Sequence, residues 1–150
     1  MSAIGVFPVH NNKFKIGIKG RNSIAAEMLV IKDLENFAPS IDSNIEDWQA
    51  MDQAGWTRRA VTGKGLSFKF NGKRHYGDPG NDYIAGLMLA TGQGAESVFE
   101  WEMPNGAKLN MNCVVSLLTP AGGDATNIDN LEFEILSDGK PVFTPAPATP

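Results

Sequence analysis

The sequence predicts a mainly β protein, an antiparallel β-sandwich or partly closed barrel with one short α-helix, about 79–91, on its flank. Three observations predict it. Apolar and polar residues alternate with a period of two at 13–19, 66–71, 97–103, 109–117 and 131–136, the signature of strands with one wet face, which favours antiparallel pairing. Asn105-Gly106 lies between two such stretches and Asp138-Gly139 follows the last, and these dipeptides supply the positive φ that tight reversals need. One segment alone combines a helix start, an apolar stripe and a glycine stop.

The chain has 150 residues, 42% apolar and 20% charged, enough for one domain with a real core and too apolar for disorder throughout. No apolar run reaches membrane length, and the first residues carry no basic-then-apolar secretory pattern. A single cysteine, Cys113, excludes an internal disulfide. These features predict a cytoplasmic folding site. Net charge is −4, unevenly spread: residues 1–77 hold 11 Lys/Arg and 7 Asp/Glu, residues 78–150 hold 2 and 10. The plainest account is a surface coated by both sets; neighbouring copies meeting basic face to acidic face is the other.

In chain order, 1–12 lacks periodicity and predicts a flexible arm. Residues 13–144 form one β-rich domain. Phe14, Ile16 and Ile18 point one way, and Lys13, Lys15 and Lys19 the other. Ile24 to Ile31 fits a strand, although Ala25 to Leu29 also fits a helical turn. Residues 36–55, with Pro39 and scattered Asp, Asn and Ser, predict a long irregular loop, a length that is often functional. Trp48 and Trp56 lie on it or at its end and need cover from the domain or a partner. The strand from Thr57 follows, with Gly63 and Gly65 as bend or bulge points. It ends in Leu66, Phe68 and Phe70 against Ser67, Lys69 and Asn71, and Asn71-Gly72 should break it. Asp78 suits a helix N-cap, Pro79 the first helical position and Asp82 the positive end of the dipole. Ile84, Leu87 and Met88 make the apolar stripe, with Tyr83 beside them, and Gly92 is the expected stop. Phe99 and Trp101 alternate with Glu100 and Glu102, and Leu109, Met111, Cys113, Val115 and Leu117 form the return strand. Leu131, Phe133 and Ile135 alternate with Glu132 and Glu134, and Asp138-Gly139 should turn the chain back to Val142 and Phe143. Residues 145–150 are an extended Pro-rich tail.

Catalytic chemistry finds little footing. The two histidines, His10 and His75, have no nucleophile motif nearby, and Cys113 falls on a core face. Asp42 to Asp47 opens like a calcium loop but has Asp47 where the loop needs Gly and Gln53 where it needs Glu. No metal, cofactor or catalytic residue is expected. Glu100, Glu102, Glu132 and Glu134 would make a dense acidic face if their strands adjoined, and mutual repulsion would need some offsetting benefit.

The stretch GKGLSFKFNGKR followed by GDPGNDYIAGL, within Thr62–Gly92, resembles the tail-tube (major tail) proteins of bacteriophages, whose fold is shared by type VI secretion and bacteriocin tubes. Asp47-Trp48, Gly55-Trp56 and Arg58-Arg59 add to the likeness, which covers about a third of the chain. The resemblance implies a structural virion protein. Six copies form a ring, and rings stack into a hollow tube that conducts genome DNA during ejection. It implies that loops and arms bridge rings, a role that would fall on 36–55. Contact candidates are then Asp42, Asn44, Asp47, Trp48, Trp56, Arg58, Arg59, Lys73, Arg74, Asp78 and Tyr83. The four glutamates would line the lumen or its rim, since an acidic wall would not brake DNA. Implied partners are further copies, tape-measure, tail-terminator and tail-tip or baseplate proteins, and DNA in transient, non-specific passage, with no membrane. Implied location is the virion tail, assembled in the bacterial host cytoplasm. No further immunoglobulin-like domain is expected after the Pro-rich tail. The competing reading is a monomeric β-barrel binding module holding a small ligand under Trp48 and Trp56.

Overall fold

A computed structural model describes residues 4–147. Residues 1–3 and 148–150 of the expected arm and tail lie outside the described residues. Eight strands, β1 (Lys13–Gly17), β2 (Met28–Val30), β3 (Leu34–Gln49), β4 (Thr57–Lys73), β5 (Glu96–Glu102), β6 (Lys108–Thr119), β7 (Asn130–Ser137) and β8 (Val142–Thr144), build one antiparallel sheet. Its order is β2-β1-β5-β6-β7-β4-β3, with β8 also paired to β6. The sheet curls but does not close. Its two margins approach through Phe14 of β1 and Phe37 of β3, whose ring centroids are 4.7 Å apart.

The alternation read in the sequence sets which face is dry. Phe14, Ile16, Phe68, Phe70, Phe99, Met111, Cys113, Val115, Leu131, Phe133 and Ile135 are all buried. The phenylalanines form a connected aromatic centre, Phe70 stacking on Phe133 at 5.0 Å and standing edge-on to Phe14 at 4.9 Å. Such pairs add about 0.5–1.5 kcal/mol each beyond the area they bury. One α-helix, α1 (Pro79–Ala85), lies against this core and inserts Ile84, which is fully buried.

Four expectations are corrected. The loop at 36–55 is a strand for most of its length, paired with β4 from Leu34↔Gly72 to Gln49↔Thr57. It lacks a clear hydrophobic period because its far half packs on nothing. The helix ends at Ala85, not near 91: past the C-cap Gly86 the α-helical bonding stops, and Leu87 and Ala90 donate instead to the carbonyls three residues back, Ile84 and Leu87, each at 3.1 Å. Asn71-Gly72 does not break β4, which runs on to Lys73. Gly72 is there because the backbone at Asp33–Leu34 passes so close that a Cβ would meet the Leu34 Cα at 2.8 Å. Asp138-Gly139 does not turn the chain back, since β7 and β8 both run antiparallel to β6 and β8 continues along it. Asp138 donates its backbone N–H to the Asn112 carbonyl at 2.9 Å, and its carboxylate pairs with Arg21 at 3.0 Å, holding the chain beside β6. Ile24–Ile31 resolves into a 3-10 turn, Ala25–Glu27, followed by β2.

Candidate assembly surface

The β3–β4 hairpin is much longer than the sheet it belongs to. β4 pairs with β7 only from Ser67 to Lys73; between Thr57 and Gly65 its only strand partner is β3. The free part is an arm with both faces in solvent. An extra residue, Thr62, bulges between Gly63 and Val61, and its hydroxyl accepts from the Asn44 side chain at 2.7 Å and donates to the Asn44 carbonyl at 3.2 Å. Beyond it Ile45 faces Val61 and Trp48 faces Arg58, whose guanidinium lies 5.2 Å over the Trp48 ring. Asp47 and Arg59 form an exposed pair at 3.4 Å. Residues 50–56 close the tip, with Ala54 (φ 52°) and Gly55 (φ 82°) left-handed. Large apolar side chains stand in water along the arm: Ile41, Ile45, Val61, Trp48 (41% exposed), Trp56 (78%) and Met51 (100%).

The structure therefore brings Asp42, Asn44, Asp47, Trp48, Trp56, Arg58 and Arg59 together on one projecting element. It separates them from Lys73, Arg74, Asp78 and Tyr83, which lie at the other end of β4 and on α1. Arg74 and Asp78 are not free for a neighbour. They belong to a latch built by the run Lys73 to Asp82. The buried Asp78 caps α1, accepting from Asn81 N at 3.0 Å and Lys32 N at 3.2 Å. Asn81, also buried, accepts from Arg74 at 2.9 Å and from the His75 backbone N–H at 3.0 Å. It donates to the carbonyls of Lys32 at 3.1 Å and Lys73 at 3.0 Å. Arg74 also pairs with Asp82 at 2.7 Å and lies 4.1 Å over the Tyr76 ring. His75 pairs with Asp33. Tyr83 packs against the core, and burial raises its phenol pKa. Lys73 reaches Glu35 at 3.4 Å and Asn130 at 3.1 Å. The pattern legible as a helix start is thus the joint that fixes α1 to β4 and to residues 32–33. The spacing gave no sign that Asn81 was its centre.

Glu100, Glu102, Glu132 and Glu134 share the face of the sheet turned away from the core, but they do not make one acidic patch. β6 separates β5 from β7. Glu100 stands opposite Asn110 and Glu134 opposite Ser116, six positions further along β6, or about 20 Å at strand rise. Lysines also interleave them: Lys15 faces Glu100, with their charged groups 3.9 Å apart. Lys13 and Lys108 face Glu102, and Lys69 faces Glu134. The face is one of alternating charge, which removes the repulsion the sequence suggested.

No cluster of His, Cys, Asp and Glu that would suit a metal occurs among the described residues. Asp42–Asp47, in extended strand, cannot wrap an ion. Cys113 is buried and its thiol pKa is pushed up to about 12, chiefly by burial, leaving it protonated and inert. Among the described residues, neither arm tryptophan lines the grooves at the sheet margin or beside β4.

No protein-family model matches the chain, and no curated protein matches it. Solved structures do match in fold. One is a chain from the tail of an empty gene transfer agent particle, computed by helical refinement with C6 symmetry. It has a TM-score of 0.76 and 14% identity over 93% of this chain and 100% of that one. A chain from the virion of a native gene transfer agent particle superposes with a TM-score of 0.67 and 15% identity, again over 93% and 100%.

Proposed function

We propose that this chain is a self-assembling tube subunit of a phage-like tail, six copies to a ring and rings stacked into a hollow conduit for DNA. The observation that carries the reading is the β3–β4 arm. It leaves two tryptophans, a methionine and three β-branched apolar residues exposed to water, with Arg58 lying over Trp48. Apolar patches rimmed by charge mark surfaces that associate. Likeness of fold over nearly the whole length to a chain from a six-fold, helically refined tail supports it.

In this reading Asp42, Asn44, Asp47, Trp48, Trp56, Arg58 and Arg59 meet another subunit, so the bridging role moves from a loop to a hairpin. The excess of basic residues in 1–77 and of acidic residues in 78–150 suits a heterologous contact, in which two different patches of each copy meet. The face with Glu100, Glu102, Glu132 and Glu134 lines the conduit, its lysines offsetting its carboxylates so that DNA is neither held nor strongly repelled.

Negative-stain electron microscopy of the purified chain at rising concentration, with sedimentation velocity on the same sample, tests the proposal. Rings or hollow tubes are expected. A species that stays monomeric at every concentration, also after adding preformed tail tips, would overturn it.

A further inference from the structure

A groove of about 270 Å³ opens where the curled sheet fails to close, between the start of β1, the end of β2 and the start of β3. Phe14, Val30, Ile31, Leu34 and Phe37 give it an apolar floor, and Asp33 and Glu35 stand among its walls. Its size falls just below the roughly 300–1,000 Å³ of small-molecule sites. It suits one or two side chains better than a metabolite. The groove sits at the Leu34 end of β3 and the arm tip at the Gln49 end of the same strand. They are about 50 Å apart along a single hairpin axis, fifteen residues at strand rise.

This inference rests on the tube reading. We infer that the groove receives the arm tip of a second copy, Trp56 and Met51 entering between Phe14, Val30 and Leu34, with Arg58 joining the half-exposed carboxylates of Asp33 and Glu35, which His75 and Lys73 already touch from one side. Three observations select this occupant. Trp56 and Met51 are among the most exposed large apolar side chains described. Arg58 lies over Trp48 and makes no ion pair among the described residues, so it keeps its donors for a carboxylate. A knob at one end of a long hairpin and a socket at the other also specify a head-to-tail contact. That contact repeats along the hairpin axis without closing, as axial stacking requires.

The test uses two singly substituted full chains, Gln53→Cys at the tip and His10→Cys at the groove rim, both at exposed positions. Native Cys113 is buried and does not compete. The two chains are mixed under mild oxidation and compared with a control mixture of Gln53→Cys and Lys140→Cys. Mixed disulfide dimers at least tenfold above the control are expected, as is their loss when Trp56→Ala and Met51→Ala are added to the tip chain. Control-level cross-linking in a sample that electron microscopy shows to contain tubes would overturn the groove and leave the tube reading standing. Control-level cross-linking with sedimentation showing only monomer would overturn both.

Discussion

Asn81 makes four hydrogen bonds from a position with no solvent exposure, so its side chain is fully used by the fold. Asn81→Ala would strand the Lys32 and Lys73 carbonyls and remove a partner from Arg74 and the His75 amide. The expected cost is about 2–4 kcal/mol, since each buried group left unpaired costs about 1–3 kcal/mol with partial relief from water. It should appear in urea unfolding as a lower midpoint at unchanged slope. Asp82, in the same latch, gives a pH signature. The hydrogen bond from Arg74, opposed by some desolvation, holds its carboxyl below the usual range. A folded pKa below the unfolded one gives stability that is present above about pH 4 and is lost as pH falls through the folded value. Asp82→Asn should therefore flatten the acid limb of the stability profile and leave its shape near pH 7 unchanged. An unaltered acid limb would count against the pairing.

At the scale of elements, α1 offers a test in which packing and propensity disagree. Gly80 lies in the first turn of the helix, where alanine would ordinarily help by up to about 1 kcal/mol. A Cβ there would press on the β2 end of the chain, 3.0 Å from the Val30 carbonyl carbon and 3.1 Å from the Ile31 Cα. Backbone cannot step aside as a flexible side chain can. Gly80→Ala is expected to destabilise by about 1–3 kcal/mol, the usual range for overpacking, read as a lower melting temperature. The same contrast explains what could be read in advance. Residues 66–70, 109–117 and 131–135 were legible because each packs one face on the core, and that burial imposes the period of two. Ser43 to Gln49 were not. The arm has no core to face, so selection for burial leaves no pattern, and Pro39 with four acidic residues resembles a loop. The helix was misjudged at its end because Leu87 and Met88 prolong the stripe past the cap at Gly86. Of the assembly surface, the residues were legible and their geometry was not, since only pairing with β4 reveals that they project together.

For the whole molecule, the division between a packed, curled sheet and a projecting hairpin separates stability from association. Charge on the outer face belongs to this scale. Changing Glu100 and Glu134 to glutamine leaves Lys15 and Lys69 facing neutral partners, adding two positive charges to the proposed conduit. Partly exposed surface pairs of this kind contribute only about 0–1 kcal/mol, so tube yield should hold. DNA release should slow, and more so at low salt, where attraction to phosphate is strongest. Equal release rates for both tubes across a salt series would refute the conduit role of this face. The arm has one more consequence, for chemistry carried out on the chain from outside. Arg58, Arg59 and Lys64 sit on an exposed two-stranded ribbon, the form of backbone a digestive enzyme finds easiest to pull open. Trypsin should nick the unassembled subunit there first, well before the sheet, and should find those bonds hidden once a neighbour has taken the arm. The ratio of nicked to intact chain would then record, at each moment of growth, how many subunits had been incorporated.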